Sequence, residues 1–264
     1  MFLTTPSGVK LFYEQTGQGE DLILIAGLAS DHTLWESMMP FLSQHFRVLR
    51  FDNRACGQSD FPKTVSIAEM ASDVIALMDH LKIKSAYMAG HSMGSAILLQ
   101  LSIQSPARIR KAMLCAAFAK LPMLAKIRSR ISLDLMQANI PVSLIAETVV
   151  PWIFGSTFIR HEKNVGAIAN AMISTPWLQS TAGYETQANA LKVFDVRDRL
   201  NQITVKTLVV AGGKDILAPP ACSRYIHRAI PNSEYVVIKK SGHMLPVEDP
   251  KELNRLMIDF CAQQ

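Results

Sequence analysis

The sequence predicts an α/β protein with a mostly parallel sheet, helices on both faces of the sheet and a helical segment inserted into it. Three observations support this fold class. Short apolar runs alternate with longer amphipathic runs, as in chains where strands and helices alternate. The alternation stops between residues 120 and 186, where only helical patterns occur. Of the 264 residues, 49% are hydrophobic and 19% are charged, so a large core can be buried.

Six apolar runs have the length and residue types of buried strands. They span residues 21–27, 46–52, 85–91, 109–118, 206–213 and 233–240. Between the second and third runs, apolar residues recur at three- and four-residue steps from Ile67 to Leu81, which predicts a helix. Ser66 and Glu69 form the capping-box pattern at its start. An earlier run, residues 9–15, is joined to the first strand by TGQGE, which predicts a hairpin with an antiparallel edge strand.

The helical segment predicts how the domain is divided. Residues 120–186 contain successive helical patterns interrupted by Pro141, Pro151 and Pro176. A block of this kind inserted into an α/β sheet is most simply a helical cap. We therefore expect a core formed by residues 1–119 and 187–264, with residues 120–186 as the cap.

Charge and cysteine content exclude several classes of function. The formal net charge of +5 suggests anionic substrates or partners, but the basic residues are scattered and predict no nucleic-acid-binding patch. The four cysteines show no metal-ligand spacing, and we expect neither a metal nor a cofactor. The first residues lack the pattern of a signal peptide, and no apolar run has the ~20 residues of a membrane span. We expect a reduced, cytoplasmic protein with no membrane partner.

Ser92 is the predicted nucleophile. The stretch GHSMG, residues 90–94, follows an apolar strand pattern and precedes a helical one. A serine between two glycines at such a turn can lift its hydroxyl out of the sheet, because larger neighbours at 90 and 94 would collide with the strand and the helix. The N-terminus of the helix that follows would favour negative charge developing beside Ser92.

A base and an orienting acid follow in the sequence. Asp215 comes after the strand pattern at 206–213, and His243 comes after the pattern at 233–240. The carboxyl ends of parallel strands form the binding crevice of such sheets, so Ser92, Asp215 and His243 are expected to meet there as a catalytic triad. Asp195 and Asp198 are the alternative acids. The other histidines need no catalytic role; for His91, the side chain is expected to point away from Ser92.

Stabilisation of an oxyanion requires two N–H donors. The backbone N–H of Met93, directly after the nucleophile, is one predicted donor. The second should come from the turn after the strand at 21–27, where the backbone of Leu28 is the predicted donor. Both donors belong to the main chain, so the identity of the side chains matters less than the adjacent Gly27.

With these residues assembled, the chain resembles the α/β-hydrolase superfamily over essentially its whole length. FDNRACGQSD, SIQSPARIRKAMLCAAF and the segments around Asp215 and His243 resemble the corresponding stretches of that family. It is similar to small capped esterases, which include 3-oxoadipate enol-lactonases and the pimeloyl-carrier-protein methyl ester esterases. Ala26 and Ala55 depart from the usual residues, and the loop around Ala55 is expected to differ. Haloalkane dehalogenases have an aspartate where this chain has Ser92, which argues against that activity.

The expected substrate is an ester of a small or medium acyl group, cleaved through an acyl-enzyme. Trp152, Phe154 and Trp177 of the cap are candidate contacts for an apolar acyl chain, although core packing explains such residues as well. Lys126, Arg128 and Arg130 form either a solvated face or a site for an anionic partner, such as an acidic carrier protein or a carboxylated substrate.

Alternative functions use the same residues. Hydrolysis of an enol-lactone, cleavage of a carbon–carbon bond and peroxide-dependent chemistry all fit the same triad. A binding protein that has kept the pocket without turnover is a further alternative from a different functional class.

Overall fold

A computed structural model describes residues 1–263 of the chain. Within them, eight strands form one sheet in the order β1-β2-β4-β3-β5-β6-β7-β8. The strands are β1 (Phe2–Thr4), β2 (Lys10–Thr16), β3 (Glu20–Ile25), β4 (Phe46–Phe51), β5 (Ala86–His91), β6 (Ile109–Cys115), β7 (Thr207–Gly212) and β8 (Ser233–Ile238). The strands from β4 to β8 along this order pair in parallel. The predicted fold class is therefore confirmed.

The predicted hairpin is wrong in its pairing. β2 pairs with β4, not with β3, and β4 lies between them in the sheet. Both pairings made by β2, with β1 and with β4, are antiparallel, so the antiparallel edge itself was predicted correctly. The connection TGQGE does not make a tight turn between neighbours because β3 has parallel partners on both sides, β4 and β5.

Helices cover the sheet on both faces. The α-helices are α1 (Met39–His45), α2 (Ile67–His80), α3 (Met93–Gln104), α4 (Met123–Gln137), α5 (Val142–Ile153), α6 (Ser156–Ile159), α7 (Glu162–Ser174), α8 (Thr181–Val193), α9 (Pro220–Ala229), α10 (Leu245–Glu248) and α11 (Pro250–Ala262). Short 3-10 helices span His32–Met38, Pro106–Arg108 and Arg197–Gln202. The capping box at the start of α2 is present, with hydrogen bonds in both directions between Ser66 and Glu69. Within residues 1–263, no helix combines the length and apolar character needed to cross a bilayer.

The segment between β6 and β7 is helical, from α4 to α8. The expected cap boundary at residue 186 falls inside α8, which continues to Val193. Tyr184, Gln187 and Leu191, at three- and four-residue spacing, are buried along one side of this helix. The division of the chain into core and cap remains a prediction, and the structure favours ending the helical insertion after α8.

The core lies on both faces of the sheet. Along β3, Leu22 and Leu24 belong to one apolar cluster, and Ile23 and Ile25 belong to the other. Successive side chains of a strand point to opposite faces, so burial of both sets means that helices cover both sides. α3 is buried nearly all round and packs against β5 and β6, so the helix that follows Ser92 belongs to the core.

The loop after β4 accommodates its unusual alanine. Ala55 has a φ of 67°, in the left-handed region that favours glycine. Its carbonyl accepts a hydrogen bond from Gln179 Nε2 at 2.6 Å, and the adjacent Arg54 carbonyl accepts one from Gln187 Nε2 at 2.8 Å. Side chains from the helical segment thus hold this loop in the conformation that a glycine would take more readily.

Candidate active site

Ser92 lies between the end of β5 and the start of α3. Its φ and ψ are 54° and −112°, outside the regions that a residue with a side chain normally adopts. The backbone is held there by a hydrogen bond from the Ser92 N–H to the carbonyl of Cys115 at 2.9 Å. The turn directs the partly exposed Ser92 toward a cavity, as the strand–turn–helix pattern predicts.

The two glycines around Ser92 are required by space. A Cβ added at Gly90 would lie 2.3 Å from the carbonyl oxygen of Gly94, and a Cβ at Gly94 would lie 2.0 Å from that of Ile25. Both obstacles are backbone atoms of the strand and helix, which cannot move aside as a flexible side chain can. The sequence argument from steric collision therefore holds at both positions.

The structure brings Ser92, His243 and Asp215 together. His243 Nε2 lies 2.9 Å from Ser92 Oγ, and His243 Nδ1 lies 2.7 Å from Asp215 Oδ2. Asp215 and His243 are buried, and the second oxygen of Asp215 accepts the N–H groups of Leu217 and Ala218 at 2.8 and 2.9 Å. This orientation suits a serine hydroxyl that loses its proton to an imidazole held by a carboxylate.

Neither alternative acid reaches the histidine. Asp195 is hydrogen-bonded to Arg197 and lies 3.1 Å from Lys120 Nζ, and these contacts lower the pKa of its carboxyl group well below the usual range. Asp198 is exposed in the 3-10 helix that begins at Arg197. The geometry therefore favours Asp215 as the acid.

The two predicted oxyanion donors both lie near the serine. Leu28 lines the same cavity as Ser92 and follows Gly27, whose added Cβ would lie 3.3 Å from Ser92 Cβ. Met93 is the first residue of α3, and the N–H groups of a first helical turn have no acceptor within their helix. The Met93 side chain is buried in the core, so only its backbone is available to the site. Donation by both N–H groups remains a prediction.

His91 contributes a contact that sequence reasoning missed. Its Nε2 donates a hydrogen bond to the backbone carbonyl of His243 at 2.8 Å, so its side chain reaches residues 239–244, the candidate catalytic loop between β8 and α10. Burial, followed by the charge of His243, lowers the pKa of His91 to about 3. The ring is therefore neutral and serves as a hydrogen-bond donor beside the candidate base.

Glu248 supports the same loop from the other side. Its Oε2 accepts the N–H groups of Gly155 and Gly242, both at 2.9 Å, and its Oε1 accepts that of Met244 at 3.2 Å. Burial raises the pKa of Glu248, and the three N–H donors oppose that rise. Because Gly155 directly precedes α6, this carboxylate connects the helical segment to the residues on either side of His243. The signal for this role in the sequence is that Glu248 follows His243 by five residues, in GHMLPVE.

A cavity of about 300 Å³ opens at Ser92 and His243. Phe154 lines it, as predicted, but Trp152 and Trp177 do not. Val149 and Ile153, one turn apart on α5, face the cavity, whereas Trp152 is rotated away from their face of the helix. Trp177 is 37% exposed in the connection between α7 and α8. The prediction that these two tryptophans contact the acyl chain is therefore wrong for this cavity.

The three basic residues predicted as one anionic site do not share a surface. Lys126 and Arg130 are one turn apart on α4, and Arg130 is exposed. Arg128 lies on the other side of the helix and lines the cavity. A single docking face formed by all three is therefore excluded, since residues two apart on a helix point in nearly opposite directions.

One group of side chains within residues 1–263 has the proximity of metal ligands, namely Asp31, His32 and Asp52. Asp52 is already engaged, because its Oδ1 accepts from the backbone N–H of His32 at 2.8 Å and lies 2.7 Å from His32 Nδ1. Burial by itself would lower the pKa of His32, but the hydrogen bond and charge of Asp52 raise it overall. Since His32 and Asp52 already bond each other, the group is better explained as a hydrogen-bonded brace for the loop that carries Leu28.

Comparison with known proteins agrees with this fold. The family described as the alpha/beta hydrolase fold matches residues 22–250. A relative from Caulobacter vibrioides, provisionally named a carbamate hydrolase, is 26% identical over 258 residues, or 95% of this chain and 94% of the relative. The enol-lactonase structure from Burkholderia xenovorans LB400 has a TM-score of 0.86 and 26% identity, with 100% of both chains covered. A thermophilic esterase structure from Thermogutta terrifontis has a TM-score of 0.87 and 27% identity, covering 99% of this chain and 97% of the esterase.

Proposed function

This chain belongs to the α/β-hydrolase family, and from that premise we propose that it cleaves carboxylic esters through a serine acyl-enzyme. It is a hydrolase by family, and the proposal concerns the bond and the residues. Ser92 is the nucleophile, His243 the general base and Asp215 the orienting acid. The observation that carries the proposal is the continuous line of hydrogen bonds from Ser92 Oγ through the His243 ring to Asp215, beside the cavity.

The proposed reaction has two halves. His243 Nε2 takes the proton of Ser92 as Oγ attacks the carbonyl carbon of the ester. The oxyanion that forms accepts hydrogen bonds from the backbone N–H groups of Leu28 and Met93. The imidazolium then protonates the departing alcohol, which leaves an acyl group on Ser92. Water, deprotonated by the same imidazole, then attacks the acyl carbon and the bond from that carbon to Ser92 Oγ breaks. The imidazolium returns its proton to Oγ, which restores the serine and releases the acid.

The cavity supports a small or medium acyl group. Its wall is largely apolar and comes from both the core and the helical segment, including Phe118, Leu121, Val149, Ile153 and Phe154. Burial of methylene groups against such a wall contributes about 0.8 kcal/mol each, so acyl length should affect turnover.

Enol-lactones and carbamates are the nearest alternatives, because two of the relatives are named for those substrates. A lactone carries the same acyl carbon as an ester, and the same two steps would open its ring. Carbon–carbon bond cleavage and peroxide-dependent chemistry also fit these residues. A parallel assay of p-nitrophenyl esters of increasing acyl length, an enol-lactone and an aryl carbamate separates the hydrolytic options by kcat/KM.

Labelling by a fluorophosphonate tests the nucleophile directly. We expect the wild-type protein to form an adduct on Ser92, identified by mass spectrometry of the peptide, and Ser92→Ala to remain unlabelled. The variant should lose ester hydrolysis by a factor of about 10⁴ or more while keeping its fold, which circular dichroism would check. A protein that binds the esters but is neither labelled nor active would instead be a binding protein.

The acid is tested by a matched pair of substitutions. Asp215→Asn should reduce kcat steeply, since the carboxylate sets the tautomer of His243 and stabilises the imidazolium. Asp198→Asn, on an exposed turn, is the control and should leave kcat within about twofold of wild type. A steep loss of kcat in Asp198→Asn together with an unchanged Asp215→Asn would show that Asp215 is not the acid.

A further inference from the structure

Arg128 is a cation within the cavity that lacks good partners. It projects from α4 and lines the cavity that Ser92 and His243 also line. Its Nε is buried and has no hydrogen-bond partner among the described residues. Its Nη1 donates to Tyr184 Oη at 3.4 Å, longer than the ~2.7–3.2 Å of a good N–H···O bond. Apart from this long bond, the N–H donors of the guanidinium have no partner among the described residues.

The surroundings of Arg128 make an unpaired charge costly. Leu121, Ala125, Val149 and Ile168 are among the apolar residues of the cavity wall. Arg128 is half-buried. A cation partly withdrawn from water without a counter-charge is unfavourable, and the low polarity that causes this cost also strengthens attraction to an anion. An anionic group entering the cavity would therefore gain most of its binding energy next to Arg128.

The other charged group on the described cavity wall does not neutralise it. Asp31 accepts hydrogen bonds at Oδ1 from Thr33, from the N–H at 2.8 Å and from the hydroxyl at 2.5 Å. Asp31 forms no ion pair with Arg128 among the described residues, and it would repel a second carboxylate. Repulsion from Asp31 and attraction to Arg128 would both favour an anion placed beside α4.

We propose that Arg128 binds a carboxylate on the substrate, so that the preferred substrates are monoesters or lactones of dicarboxylic acids. A single guanidinium fits the single charge and planar shape of a carboxylate, which accepts two parallel N–H bonds. This inference rests on the proposed function, because it takes the ester group to lie at Ser92. Arg128 makes no bond to the reacting atoms and acts on specificity alone.

Paired substrates of equal acyl length test the assignment. We would compare the mono-p-nitrophenyl esters of glutaric, adipic and pimelic acids with p-nitrophenyl esters of the unsubstituted acids of the same length. Wild type should prefer the carboxylated member of at least one pair. Arg128→Met should reduce kcat/KM for that ester at least tenfold, mainly through KM, and leave the neutral ester within threefold. Arg128→Lys should recover part of the loss.

Arg160→Met is the matched control, since it removes the same type of side chain from an exposed position of the helical segment that does not line the cavity. It should leave both members of each pair unchanged. Equal losses for charged and neutral esters in Arg128→Met would show a structural role and overturn the proposal. A wild-type enzyme that does not distinguish the paired esters would overturn it as well.

A binding measurement separates this inference from the proposed chemistry. Calorimetric titration of wild type with adipate and with hexanoate requires no turnover. Adipate should bind at least tenfold more tightly, and Arg128→Met should abolish the difference. If adipate is preferred but no ester is cleaved and Ser92 resists fluorophosphonate, the catalytic proposal fails while the carboxylate site stands. Equal binding of the two acids overturns the site, whatever the activity.

Discussion

Ser92 shows how a single residue is strained where the chemistry is expected. A non-glycine residue held at φ 54° and ψ −112° costs on the order of 1–3 kcal/mol, which the surrounding structure must offset. The bond from its N–H to Cys115 and the two glycines beside it allow the turn to close. Because the same turn directs the hydroxyl into the cavity and lets it meet His243, the strain has a chemical consequence.

His91 should make the folded protein sensitive to acid. Its pKa is about 3 in the folded chain against an ordinary value of 6.5, so between these values the unfolded chain binds a proton that the folded chain does not. The free energy of unfolding should therefore fall as the pH is lowered below 6.5, by about 1.4 kcal/mol per pH unit from this group. The loss continues until the folded ring itself is protonated.

Urea unfolding at pH 7 and at pH 4.5 measures this effect. We expect the drop between the two values to be smaller in His91→Gln than in wild type by about 2 kcal/mol. The amide nitrogen of glutamine can take the place of Nε2 as the donor to the His243 carbonyl, but the side chain does not titrate. Equal drops in the two proteins would mean that His91 is not buried as a neutral group.

At the scale of elements, the junction of β5 and α3 depends on close backbone approach. A methyl group at Gly94 would meet the Ile25 carbonyl at 2.0 Å, whereas a methyl group at Gly166 on α7 would meet no described atom within 4 Å beyond its chain neighbours and the backbone of its own helix. Gly94→Ala should lower the free energy of unfolding by at least about 2 kcal/mol or prevent folding. Gly166→Ala should raise it by about 0.5–1 kcal/mol, because alanine is the better helix former. Thermal unfolding of the pair checks both directions.

The loop after β8 depends on a buried carboxylate. Glu248→Gln replaces one acceptor oxygen with an NH₂ group that faces backbone N–H donors, so at least one hydrogen bond from Gly155, Gly242 or Met244 is lost. We expect a destabilisation of about 1–3 kcal/mol and a fall of at least tenfold in kcat, because His243 lies between two of these residues.

Glu252→Gln is the control for Glu248. Glu252 pairs with Arg255 on α11 and makes no contact with the catalytic loop among its described hydrogen bonds. Its replacement should change kcat by less than twofold. If Glu248→Gln destabilised the protein but left kcat unchanged in the folded fraction, the carboxylate would hold the helical segment without positioning His243.

At the scale of the whole molecule, the net charge of +5 leaves basic side chains for an anionic partner. Lys126 and Arg130 share the outer side of α4, whereas Arg128 faces the cavity. We propose that an acidic carrier protein bearing an ester-ended acyl chain docks on this outer side. The carrier protein would be recognised outside the cavity, so this proposal does not depend on the proposal that Arg128 binds a carboxylate.

Charge reversal tests this docking. Lys126→Glu with Arg130→Glu should raise KM for the carrier-bound ester and leave kcat on a small neutral ester unchanged, because exposed charges steer association without reaching the reacting atoms. The wild-type preference for the carrier-bound ester should also weaken at high ionic strength. Equal effects on both substrates would indicate damage to α4, and no effect on either would leave Lys126 and Arg130 as a solvated surface.

The amino-acid sequence by itself determined the features that neighbouring residues encode. The turn at Ser92 follows from two glycines between a strand pattern and a helix pattern, and the capping box of α2 follows from Ser66 and Glu69. Asp215 and His243 lie far from Ser92 in the sequence, yet their meeting with it could be predicted. The reason is that parallel strands bring their carboxyl ends to one edge of the sheet.

Only the tertiary structure decided which parts of distant segments face each other. It placed Arg128 rather than Arg130 at the cavity, placed Phe154 there rather than Trp152 or Trp177, and brought Glu248 to the backbone of Gly155. It also paired β2 with β4. The physical reason is that an apolar or charged pattern specifies that a side chain is buried or paired, but its partner is set by the packing of every element at once.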